Sequence, residues 1–356
     1  MSDEAKYHHM VPKTYLKPWY HNTQSIWVYQ NMGFQERNVE TVFGENYYHG
    51  IKAGSLYTNA KALGYIFGFL WKYIITYEGR IVRSKAKLNQ FYFDFDKWNI
   101  KKWFRREITR KERNVIKARL AQSVFNGIEE EWNRQYENDW STFIQTTENI
   151  LEGIQSGKPL MLTTKERRMI LRYFVMFDWR GEHGKQWVND LLARLLENYE
   201  DVEIPLAERT YKKDDTLYKE QKHAIYIRLY DQFLHKKGAM FKEYQAYCKQ
   251  CTLMFWLAPN GNFITSNNPC YRYVNELGQE TPTFIALPNL AITLVKKNYE
   301  EPNAYRICVL NDRQVEYFNY QTMKNGTRMV FKEKGDVPTD VGSIFDECDG
   351  KIILIP

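Results

Sequence analysis

The stretch Cys251-Thr252-Leu253-Met254-Phe255-Trp256-Leu257-Ala258-Pro259-Asn260-Gly261-Asn262-Phe263-Ile264-Thr265-Ser266 marks the change of character that decides the fold. Its first half is a continuous apolar run, rich in aromatics and closed by a Pro-Asn-Gly cluster, which reads as a buried strand. Pro-Asn-Gly-Asn is hairpin-turn chemistry, so 263–266 is expected to return beside it. Similar short apolar runs at 284–288, 291–295, 306–310 and 351–356 read as further strands, and 315–324 as a helix or an extended pairing.

Upstream of this region the spacing turns helical. Leu63, Ile66, Phe67, Leu70, Ile74 and Tyr77 recur at helical intervals and predict a long helix from near Ser55. A second helix is expected over 100–122. A third is expected over 127–154, with Trp132, Tyr136, Trp140, Phe143 and Ile150 facing the core. Thr163-Thr164-Lys165-Glu166 has capping-box spacing ahead of a strong helix through Phe177. Helical pattern resumes over 191–199 and 218–247. At the other end, 25–30 alternates like a strand, Asn31-Met32-Gly33 reads as a turn, and Thr41-Val42-Phe43 as a candidate return strand. The order β, mostly α, then β predicts an α+β fold. It comprises an N-terminal strand segment over 1–54, a helical block over 55–247 and a β-rich part over 248–356, the last forming one mixed sheet with the first.

Hydrophobic residues make up 44% and aromatics 16% of the 356 residues, enough for a large core, which excludes a mainly disordered chain. The 26 Tyr, 20 Phe and 10 Trp serve either as core rings or as stacking platforms for bases or sugars. No apolar leader and no stretch long enough to span a bilayer is expected, and five cysteines, an odd number, fit reduced thiols in a cytoplasmic protein. Cys248-Lys249-Gln250-Cys251 has half the spacing of a zinc site but no second pair, and reads as structural. A Walker loop, a GxSxG elbow, an HExxH helix and a GxGxxG turn are all missing. Kinase, serine-hydrolase, zincin and dinucleotide-dehydrogenase classes therefore have no support.

The charge is uneven. Residues 97–119 hold ten Lys/Arg against two Glu, a net of +8, whereas the whole chain is +7, so the remainder is about neutral at −1. Trp98, Trp103 and Phe104 interleave with Lys101, Lys102, Arg105, Arg106, Arg110, Lys111, Arg113 and Lys117. If the segment is helical, Phe104, Ile108 and Val115 form its inner stripe. The charges then suit a polyanion such as RNA or DNA, an acidic protein partner, or plain solvent.

Tyr7-His8-His9-Met10-Val11-Pro12-Lys13-Thr14-Tyr15-Leu16 places two imidazoles ahead of a proline-fixed, aromatic segment. Such a pair can bind a divalent ion such as Mg²⁺ or Mn²⁺, or take a proton, and it can equally order a sheet edge through hydrogen bonds. Adjacent histidines before a proline look like the first strand of His-Asn-His nucleases, but the downstream Asn and His of that motif are missing. Thr265-Ser266-Asn267-Asn268-Pro269 reads as a turn at a strand end, or as a polar loop holding a phosphate or base edge. Arg180, ending the 163–180 helix, is either a phosphate clamp or a C-terminal helix cap.

His8-His9-x-x-Pro12-x-x-Tyr15-Leu16 followed by Trp27-Val28-Tyr29 resembles the opening of the family called domain of unknown function 4238. Phe177-Asp178-Trp179-Arg180, Phe263-Ile264-Thr265-Ser266-Asn267-Asn268-Pro269, Phe284-Ile285-Ala286-Leu287-Pro288 and Leu310-Asn311 resemble it in the same order. Asn267 stands where that family usually has Asp. The resemblance implies no established activity, only a loose association with antiviral defence. Two readings are carried forward. One is a metal-dependent nuclease, with His8 or His9 as base or ligand and with Arg180 and Thr265–Asn268 on phosphate. In it the basic cluster Lys101, Lys102, Arg105 and Arg106 docks the strand. The other is a non-catalytic nucleic-acid- or protein-binding subunit or sensor of a larger complex.

Overall fold

The computed structural model describes residues 7–46, 49–104, 106–196, 202–259, 262–274, 280–296, 303–342 and 353–355. Side chains at 7–9, 45, 46, 137, 155, 273, 274, 353 and 354 fall outside that description. The architecture is α+β with mixed sheets. The chain divides into two interleaved units, one over 1–8, 46–132 and 188–235, the other over 9–45, 133–187 and 236–356.

The second unit holds a six-stranded sheet in the order Cys270–Val274, Glu280–Leu287, Leu290–Lys296, Cys251–Leu257, Tyr305–Val309, Ile353–Ile355. Cys251–Leu257 is central, antiparallel to Leu290–Lys296 and parallel to Tyr305–Val309, which is why it is apolar on both faces. It does not return on itself through Pro259. The 263–266 stretch instead yields a two-residue strand, Thr265–Ser266, in a second sheet with Met329–Phe331, Ser25–Gln30 and Gly33–Asn38. The N-terminal strand therefore does join C-terminal strands, but in this smaller sheet. Its partner is Gly33–Asn38 rather than 41–43, because Asn31 and Met32 both adopt positive φ and close a tight hairpin.

The core of this unit is a cluster of rings. Tyr15 lies 4.7 Å from Phe177, 5.1 Å from Trp19 and 5.7 Å from Trp140, and Phe177 stacks on Phe284 at 4.8 Å. Tyr136, Trp140, Phe143 and Ile150 are buried as the spacing predicts, although the helix expected over 127–154 is broken into Gly127–Trp132, a wide turn over Asn133–Glu137, and Trp140–Gln155. The Tyr15 hydroxyl, fully buried, donates to the Ile285 carbonyl at 2.6 Å and accepts from Thr265 Oγ1 at 2.5 Å. Burial pushes its pKa well above the phenol range, so it remains protonated and able to donate.

The first unit departs further from its expected pattern. The helix read from Ser55 to Tyr77 is Ala60–Phe67, capped by Asn59, followed by a tight turn over Gly68–Lys72 and the strand Tyr73–Tyr77. Glu78 and Gly79, both at positive φ, form an exposed hairpin turn after it. Asn99–Lys102 is the third strand of this sheet, and the next helix is Arg110–Gln122. Thr109 and Glu112 form a capping box that sets its start. The resulting phase turns Ile116 and Leu120 inward and leaves Val115 61% exposed; Phe104, which precedes the helix, is 93% exposed and Ile108 half-buried, so the predicted stripe does not form. Among the described residues, no helix is long and apolar enough to cross a membrane.

Tyr15→Phe retains the ring but strands the Thr265 hydroxyl and the Ile285 carbonyl in the core. A loss of about 1–3 kcal/mol is expected, read as a lower urea midpoint at unchanged slope. An unchanged midpoint would mean that these two bonds do not hold the N-terminal segment to the sheet.

Candidate functional site

The helix Thr164–Arg180 opens with the Thr163/Glu166 capping box and ends at Gly181. Its last turn lies beside a sharp reversal that demands glycine twice. A Cβ on Gly181 would sit 2.0 Å from Asn268 Oδ1, and one on Gly184 would sit 1.9 Å from the Trp179 carbonyl. Asn268 Oδ1 accepts from the Glu182 amide at 3.2 Å and its Nδ2 donates to the Asn325 carbonyl at 3.0 Å, fixing the start of the next helix, Glu182–Leu196. The reversal brings His183 back over the end of the helix it has just left, against Trp179 (ring centroids 5.2 Å apart, edge to face).

Asp178 is fully buried, and the Arg272 guanidinium takes it with two donors, Nε to Oδ1 at 3.3 Å and Nη2 to Oδ2. Arg272 Nη2 also reaches Glu243 Oε1 at 2.9 Å, and Nη1 reaches Glu280 Oε2 at 3.2 Å. Glu243 comes from the helix Gly238–Gln250. Its Oε1 accepts from the Tyr247 hydroxyl at 2.6 Å, and its Oε2 accepts from the Trp179 indole N–H. His183 Nε2 points into this group, 3.4 Å from Glu243 Oε2 and 4.0 Å from Asp178 Oδ2. That nitrogen is closed off from solvent and makes no hydrogen bond. One ligand-type atom from each of Asp178, His183 and Glu243 lies within 4.8 Å of the others, the spacing of a cation site.

The two carboxyls are tuned apart. Burial raises the pKa of Asp178 in spite of Arg272. Burial also works against the Glu243 charge, but the neighbouring His183 and Tyr247 side chains and the Arg272 charge win and hold it down to about 2. Arg272 is raised by its carboxylates against the penalty of burial, and burial together with Glu243 raises Tyr247. The buried Cys270 thiol next to Asp178 is pushed well above its usual value, chiefly by burial, and remains protonated. The arrangement thus offers an ionised Glu243, a carboxyl with raised proton affinity and an imidazole in one half-buried cluster. Such pairs of differently tuned groups are typical of acid–base or metal chemistry.

The expected site residues distribute differently. Tyr7–His9 form a short strand in a two-stranded sheet separate from that of Thr265–Ser266, and the His8 and His9 side chains lie outside the described residues. Arg180 is buried, with Nη1 3.5 Å from the Met10 carbonyl. Thr265 is bonded to Tyr15, and Ser266 Oγ accepts from the Asn268 amide. Asn267 Oδ1 accepts from the amides of Thr327 and Arg328 and so closes this loop. Of the loop, Asn268 alone is seen to bond to the His183 reversal, through the Glu182 amide. In the other unit Lys101 pairs with Glu107 and Lys102 with Glu112; Arg106 is exposed and Arg105 lies outside the described residues. Cys248 and Cys251 are free thiols whose carbonyls accept from Arg167.

A family model described as "Protein of unknown function (DUF4238)" matches residues 7–336, and the chain belongs to that family. No curated protein and no solved structure gave a significant match.

Because Glu243 is held below its ordinary value near 4.5, it stabilises the fold above that pH, and the contribution is lost as pH falls towards 2. About 3 kcal/mol is at stake. Unfolding free energies measured in urea across this window should fall more steeply for the wild type than for Glu243→Gln. Parallel curves would mean that Glu243 is not held ionised by its neighbours.

Proposed function

We propose that this member of the DUF4238 family is a metal-dependent enzyme acting on nucleic acid, with its centre at Asp178, His183 and Glu243. The observation that carries the reading is His183 Nε2, a ring nitrogen closed off from solvent and facing two carboxylate oxygens, Glu243 Oε2 at 3.4 Å and Asp178 Oδ2 at 4.0 Å. An imidazole nitrogen and two carboxylate oxygens within 4.8 Å of one another suit a shared cation. One imidazole and two carboxylates favour Mn²⁺ or Zn²⁺ over Mg²⁺, which prefers oxygen alone. A divalent ion held there would supply positive charge next to a phosphoryl oxygen. The chain's own residues do the positioning. Arg272 orients Asp178, Trp179 and Tyr247 orient Glu243, and Gly181 and Gly184 allow the turn that presents His183.

Nucleic acid as substrate is supported by the +8 segment at 97–119. Four free cysteines among the described residues suit a reducing cytoplasm. A place in antiviral defence rests on the family resemblance alone.

A second reading, binding without catalysis, is favoured by one observation. Arg272, Trp179 and Tyr247 already donate to both carboxylates, and the Arg272 charge opposes entry of a cation.

The test is Mn²⁺ uptake by equilibrium dialysis, run beside cleavage of labelled single- and double-stranded RNA and DNA. The enzyme reading predicts stoichiometric uptake and EDTA-sensitive cleavage, both reduced roughly tenfold or more in His183→Ala. Salt-sensitive binding with no Mn²⁺ uptake and no cleavage would overturn it in favour of the second reading.

A further inference from the structure

The unit built from 46–132 and 188–235 carries a cleft of about 690 Å³ that the centre described above does not involve. Its floor is apolar and buried, with Phe67, Leu70, Ile75 and Leu88 beneath it. Its walls are two indoles, Trp71 and Trp103, which are 77% and 65% exposed. Tryptophan is the side chain with the most apolar area to hide, so two left open around one cleft mark a recognition surface.

The charges around the cleft point to its occupant. Its only charged lining residues are Arg83 and Lys85; both are exposed, and among the described residues neither forms an ion pair. Several cations elsewhere in this unit are paired. Lys97 pairs with Asp94, Lys101 with Glu107, Lys102 with Glu112, and Lys117 with Asp96. Arg113 donates to the carbonyls of Phe95, Asp96 and Trp98.

Apolar walls made of flat rings, with positive charge only, match a flat apolar ring carrying a negative group. The volume is that of a small-molecule site.

We propose that this cleft binds a nucleobase bearing a phosphate, its ring stacked on Trp71 or Trp103 and its phosphate on Arg83 and Lys85. The source is either one nucleotide of a single strand or a free nucleotide. Exposed Phe104, Arg106, Arg110 and Lys111 continue the same chemistry along the chain, as a single strand would require. The inference deepens the nucleic-acid reading but does not depend on the Asp178–His183–Glu243 centre.

The experiment is anisotropy of fluorescein-labelled oligo(U) with the full chain in EDTA, with AMP as competitor and intrinsic tryptophan quenching as a second readout. Wild type should bind, with quenching and a strong salt dependence. Trp71→Ala/Trp103→Ala should weaken binding by roughly tenfold or more, as loss of base stacking does. Both side chains are exposed, so its thermal midpoint should match wild type. Arg83→Glu/Lys85→Glu should weaken binding and flatten its salt dependence. Displacement by AMP at equal site concentration would identify a free nucleotide as the source; displacement only by unlabelled oligo(U) would identify a strand. Equal binding by wild type and the tryptophan pair, no quenching by either probe, or displacement by oleate or poly-glutamate but not by nucleotides would overturn the proposal. Because the assay contains EDTA, its failure and failure of the metal centre are separate results.

Discussion

The buried pairing of Asp178 with Arg272 is the constraint on which the second unit depends. A carboxylate with no solvent access and no partner would cost several kcal/mol, so the helix end that carries it and the strand Cys270–Val274 that carries Arg272 are held in one register. With that register set, the remaining geometry follows. Trp179 is turned towards the helix Gly238–Gln250, where it meets Glu243, and Tyr247 one turn on closes the other side of the same carboxylate. The chain then reverses at Gly181, and Asn268 caps the new helix. Behind the pair, the Tyr15 hydroxyl ties the N-terminal segment to Thr265 and Ile285, and its ring lies against Phe177 one residue before Asp178.

This arrangement explains a contradiction within the site. The donors that stabilise buried Asp178 and half-buried Glu243 also compete with any ligand for them. Asp178 keeps a raised proton affinity, while Glu243 remains ionised to low pH. His183 is the one member whose inward nitrogen makes no hydrogen bond. It is therefore the atom on which a functional and a purely structural account differ.

Much of the fold was legible in the sequence because its signals were local. The strands at Cys251–Leu257, Leu290–Lys296 and Tyr305–Val309 are apolar runs bounded by turn residues, and the capping box at Thr163 fixed the next helix. The segments 55–77 and 100–122 misled because short aromatic runs satisfy helical and strand spacing alike. The Thr109-x-x-Glu112 box was the available signal that the helix there begins only at Arg110. Strand pairing was harder: nothing near Pro259 indicates that Cys251–Leu257 pairs with Leu290–Lys296 instead of its neighbour in sequence. The site was half legible. Asp178 and His183 stand in one short segment whose two glycines, Gly181 and Gly184, announce a reversal. Arg272 lies 94 residues from Asp178, and no local pattern joins them. The His8-His9 pair drew attention by composition alone, whereas the donor set that converges in space is dispersed along the chain.

The most direct test is diffraction from crystals grown with Mn²⁺, recorded at a wavelength where manganese scatters anomalously. The account predicts an anomalous peak in the space that His183, Glu243 and Asp178 share. Density showing Arg272 still paired to both carboxylates, with no peak at His183, would contradict it.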